Sequence, residues 1–99
     1  MGAQMSFVDF LASAAAGTRP DLGPALLALW DDARGNWDEA HVLAQAAGGA
    51  DGAWVHAYLH RKEGDEANAA YWYRRAGQPV ARGELSAEWE QIARTLLAS

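Results

Sequence analysis

The chain has no cysteine, which excludes a disulfide frame and a thiolate metal site together and fits a reducing, intracellular compartment. Cations are in the minority. Eight Lys and Arg stand against 13 Asp and Glu, for a formal net charge of −5, so neither a broad phosphate-binding face nor a nucleic-acid partner is expected. Long apolar runs are missing as well. Residues 6–16 (SFVDFLASAAA) are interrupted by Asp9 and have no cationic segment before them, so they read as a short helix and not as a secretory leader. No run approaches the roughly 20 residues of a membrane span. Only three prolines are present, no stretch alternates polar with apolar residues, and 51% of the chain is hydrophobic. Disorder and sheet are both disfavoured by that pattern. The expectation is one soluble, cytoplasmic, all-helical domain over residues 1–99.

What the chain does contain is an internal repeat. Shifted by 29 residues, Ala28, Gly35, Ala40, Ala47 and Gly48 fall on Ala57, Gly64, Ala69, Ala76 and Gly77. Each copy runs as a periodic apolar segment, a Gly-polar turn (Gly35-Asn36, Gly64-Asp65), a second segment with alanines at close-packing positions, and a glycine stop. Two helical hairpins, over about residues 24–48 and 52–77, are therefore predicted. Pro24 suits a first helical turn, Asn36 and Asp65 are candidate caps, and Asp51 is the expected cap of the fourth helix. A helix over 6–16 capped by Ser6 precedes the repeat, and one over 86–98 opening at Ser86 follows it. The last helix is expected to close the open end of the stack. Trp30, Trp37, Trp54, Trp72 and Trp89, one per helix after the first, read as core anchors among many alanines.

Gly35-Asn36-Trp37-Asp38-Glu39-Ala40, followed by Ala47, resembles the turn and second helix of a tetratricopeptide repeat. Gly64-Asp65 and the run from Ala69 to Ala76 resemble the Sel1-like variety of such repeats. The stretch from Trp54 to Gly77 is also similar to a family of short uncharacterised bacterial proteins with fungal relatives, a similarity that carries no activity. The repeat resemblance covers about residues 24–77 and implies stacked hairpins that bind peptides or other proteins.

Two constellations could carry chemistry. His56, His60 and Glu63 share a face about 60° wide on one helix, and two imidazoles at this spacing can hold a divalent transition ion such as zinc, with His41 or Asp31 as further ligand. The competing reading of the same residues is structural: His56 or His60 hydrogen-bonded to Asp31 or Asp32, which the repeat overlay places nearby. Acid–base catalysis is a third use. Separately, Arg61, Lys62, Arg74 and Arg75 interleave with Tyr58, Tyr71, Trp72 and Tyr73. With Trp54 they would make an aromatic-basic groove for an acidic peptide or for self-association, or else simply complement helix dipoles. No nucleophile elbow, phosphate loop, dinucleotide fingerprint or twelve-residue calcium loop is present. The sequence thus favours a small protein-protein or peptide interaction module without a cofactor. The alternative is a metal-binding protein or metal-dependent enzyme using His56 and His60 with Glu63 or Asp31.

Overall fold

In the computed structural model, which describes residues 5–99, the helix ends follow from local backbone chemistry. The Ser6 hydroxyl accepts the Asp9 amide at 3.0 Å and opens α1 (Phe7–Ala16), which Gly17 ends in the left-handed conformation. Pro24 occupies the first turn of α2 (Pro24–Ala33), where its missing N–H costs nothing. Then follow α3 (Trp37–Ala47), α4 (Gly49–Lys62), α5 (Glu66–Ala76) and α6 (Leu85–Ala98). The described residues form six helices and no strand, as the periodicity predicts. Among them no helix is long and apolar enough to cross a membrane.

The 29-residue repeat is visible atom by atom in the turns. The amide of Asn36 donates to the carbonyl of Asp31 at 2.9 Å, and in the second copy Asp65 donates to His60 at 2.9 Å. Gly35 and Gly64, with φ of 83° and 90°, make the bend that a side chain would strain. The paired alanines Ala28 and Ala57, Ala40 and Ala69, are all buried. Hairpin α2–α3 packs on hairpin α4–α5 through α4, which touches both α2 and α3.

Three boundaries differ from expectation. α4 begins at Gly49 and takes Asp51 into its first turn, so Asp51 is not its cap. Asn36 stands at the cap of α3 without a side-chain hydrogen bond. α6 starts at Leu85 after Glu84, one residue before Ser86. A larger correction concerns the role of α6. It lies across α4, α2 and α1, along the side formed by the first helices of the hairpins, instead of closing the end of the stack. The reason is the apolar and polar detail of its inner face: Trp89 stacks on Phe10 and donates to the carbonyl of Leu29 at 2.9 Å, while Glu88 reaches Arg61.

α4 is therefore flanked by α2, α3, α5 and α6, and every residue from Gly52 to His60 is buried. Its neighbour α3 comes so close at Gly52 that an added Cβ would stand 2.9 Å from the carbonyl oxygen of Ala44 and 3.0 Å from Cβ of Ala47. Elsewhere in a helix Gly→Ala gains up to about 1 kcal/mol. At Gly52 the sign should reverse, with a loss of about 1–3 kcal/mol from overpacking against backbone. Urea unfolding of Gly52→Ala measures it, and a stabilised variant would contradict the α3–α4 approach described here.

Candidate metal centre

Buried histidines need partners for their ring nitrogens, and those of α4 find them in α3 behind it and in Glu63 at the helix end. His56 and His60, one turn apart on α4, face His41 in the middle of α3. All three histidines of the chain meet there. Nε2 of His56 lies 2.9 Å from Nε2 of His41, so one ring donates and the other accepts. Nδ1 of His60 lies 2.6 Å from Oε2 of Glu63. His56 and His60 are stacked at 4.8 Å between ring centroids, and His41 stands edge-on to them at 4.5 and 5.1 Å. One ring nitrogen from each histidine falls within 4.8 Å of the others.

Two tryptophans flank the cluster. Trp37 stacks on His41 at 5.0 Å and donates its indole N–H to the carbonyl of Leu59 at 3.0 Å, tying α3 to α4 beside the imidazoles. Trp72 of α5 stacks on His56 at 3.9 Å. Both are core anchors by sequence expectation, yet they are only half-buried, whereas Trp30, Trp54 and Trp89 are buried. Trp37 precedes His41 by one helical turn, which was the one sequence signal for its place here.

Burial disfavours the charged form of two of these rings, His56 and His41. The His56 pKa is pushed from the ordinary 6.5 down to about 4, first by burial and then by the neighbouring His41 and His60. His41 is also lowered, first by burial and next by His60, against the opposing pull of Glu63 and Asp38. Neutral imidazole is the form that ligates a metal.

The structure separates the other sequence candidates from this cluster. Asp31 is not a ligand here: it pairs with Arg19 at 3.3 Å. Asp32 accepts from the Tyr58 hydroxyl at 2.8 Å and from Nζ of Lys62 at 2.8 Å. Neither aspartate partners His56 or His60. The reason lies in the repeat itself. Equivalent positions of successive hairpins point in the same direction, so Asp31 and His60 each face the element before their own helix and do not face each other.

The expected aromatic-basic groove is occupied by the chain's own side chains. Trp54 and Tyr58 are buried. Arg61 pairs with Glu88 at 2.7 Å and also donates to the carbonyl of Gly83. Lys62 is held on Asp32, and α6 covers this side of α4. Arg74 and Arg75 remain exposed at the end of α5, where Arg75 donates to the Tyr71 hydroxyl at 3.2 Å. Compared with protein-family models, with curated proteins and with solved structures, the chain matched nothing in any of the three.

Proposed function

We propose that this protein binds a divalent transition ion of the zinc type through His41, His56 and His60, on a scaffold of two tetratricopeptide- or Sel1-like hairpins. The observation that carries the reading is the convergence of every histidine in the chain, from two different helices, onto one point. A zinc ion about 2.0–2.1 Å from three nitrogens requires them roughly 3.3 Å apart. The His41 and His56 nitrogens are 2.9 Å apart and one nitrogen of His60 lies within 4.8 Å of both, so small side-chain adjustments reach that value. His60 has its Nδ1 engaged with Glu63, which leaves Nε2 as its ligating atom and makes the carboxylate–histidine arrangement that orients and strengthens metal ligands. Glu63 then acts through His60, as a positioning residue. Three imidazoles complete three of four tetrahedral positions and leave one for water or a further ligand.

The set is all-nitrogen, which suits zinc, copper or nickel over calcium or magnesium. A cytoplasmic setting agrees with the absence of cysteine. The peptide-module reading lost its main support when Trp54, Tyr58, Arg61 and Lys62 proved to be engaged within the chain.

The test is calorimetric titration of tag-free protein with zinc. One zinc per chain is expected, with no measurable binding in His56→Ala or His60→Ala and about 10–100-fold weaker binding in Glu63→Gln. Wild-type protein that takes up no zinc, or a His56→Ala, His60→Ala double variant that takes up as much as wild type, would refute the proposal.

A further inference from the structure

A ligating histidine has a second ring nitrogen whose N–H needs an acceptor. Glu63 meets that need for His60. His56 has no such partner: its hydrogen bond is made by Nε2, and among the described residues nothing pairs with Nδ1. His56 as a whole is only 3% exposed, yet no sealed side-chain nitrogen or oxygen among the described residues lacks a partner, so the unpaired nitrogen keeps a small opening to solvent. His56 borders a cleft of about 470 Å³, whose other walls include Gln45, Gly48, Gly49, Trp72 and Arg75.

The chemistry of this cleft is cationic in a chain of net charge −5. Arg75 is the one charged side chain on its wall, and among the described residues no carboxylate pairs with it. Its guanidinium lies 5.5 Å over the Trp72 ring. The first turn of α4 opens on the same space with a glycine cap and no side-chain acceptor for its amides, so it adds the positive end of a helix dipole, offset in part by Asp51 of that turn, which lies off the cleft wall. Trp72, Ala44 and Ala53 supply flat, apolar wall.

Building on the metal reading, we infer that the cleft binds a small organic oxyanion, a carboxylate or phosphate on an apolar body, whose oxygen accepts the Nδ1–H of His56 while Arg75 pairs with its charge. Metal and anion then reinforce each other through one imidazole. A metal on Nε2 leaves the proton on Nδ1 and sharpens it as a donor. An oxyanion on that proton makes Nε2 the better ligand, and by linkage each tightens the other by the same factor.

The experiment measures zinc affinity at buffered free zinc, alone and with saturating benzoate or phenyl phosphate, in wild type and Arg75→Gln. In wild type the affinity should rise at least about 5-fold with one or both probes, the lower end of ordinary site-to-site coupling. The probe that produces the rise identifies the head group. Arg75→Gln, an exposed change distant from the histidines in sequence, should keep one zinc per chain and full helicity by circular dichroism while losing the enhancement. Zinc binding that is unchanged by both probes overturns the inference and leaves the metal site standing. Full enhancement in Arg75→Gln overturns it as well. Absence of zinc binding by wild type removes the metal reading and this inference with it.

Discussion

Replacing Glu88 with alanine should cost about 3–5 kcal/mol of folding stability, the loss typical of breaking a buried ion pair from one side. Glu88 is 5% exposed and binds two groups at once. Oε1 accepts from Arg61 at 2.7 Å, and Oε2 accepts from the hydroxyl of Tyr73, which is itself buried. Removing the carboxylate leaves a largely buried guanidinium without its counter-charge and a buried phenol without its acceptor. These are also the contacts that join α6 to the second hairpin, so the variant should loosen α6 as well as lower the midpoint of unfolding. Glu88→Gln keeps the shape and part of the hydrogen bonding and should lose less. Equilibrium urea unfolding with hydrogen exchange resolved by helix decides the matter. A loss below about 1 kcal/mol for Glu88→Ala would mean that α6 docks through Trp89, Ile92 and Leu96 alone. For a domain whose whole stability is of order 5–15 kcal/mol, the expected loss is a large share.

Acidification should destabilise the metal-free protein over a defined window. Because the His56 pKa is about 4 in the folded chain and the ordinary 6.5 when unfolded, the two states bind protons equally above pH 6.5 and stability there is complete. Below 6.5 the unfolded chain takes up a proton that the folded one refuses. Stability then falls until about pH 4, where the folded imidazole is protonated too, and the interval corresponds to about 3 kcal/mol. His41, lowered in the same direction, adds to the effect. Carboxylates also begin to titrate at the acid end, so the comparison that isolates the imidazole is His56→Gln. Its urea stability should decline less steeply between pH 6.5 and 4.5 than that of wild type. Parallel curves for the two proteins would show that the burial of this ring is not coupled to folding as described. Zinc, by occupying the same nitrogens, should hold the wild-type curve level to lower pH until protons displace the ion.

Much of the architecture could be read without coordinates because it is local. Helix spacing, the glycine turns at Gly35 and Gly64, the proline at the start of α2 and the matched alanines are properties of neighbours in the chain, and the turn hydrogen bonds repeat with the same 29-residue offset. Half of the candidate site was legible on the same ground, since His56, His60 and Glu63 lie within two turns of one helix. The pairing with Asp31 and Asp32 failed for a geometric reason: an overlay of repeats shows which residues are equivalent, and equivalence under stacking means parallel direction, not contact.

The sequence by itself determined six helices, two hairpins and a histidine pair on one face, because each depends on backbone propensity and on a period of 3.6 residues. Tertiary structure alone decided that His41 completes the cluster, that Trp37 and Trp72 flank it, and that α6 fills the side where a peptide groove was expected. Those outcomes depend on which faces of distant segments meet. The energy that chooses among such meetings comes from burying Trp89, pairing Glu88 with Arg61 and fitting Gly52 against Ala44, and none of these partners lies within reach of a local pattern.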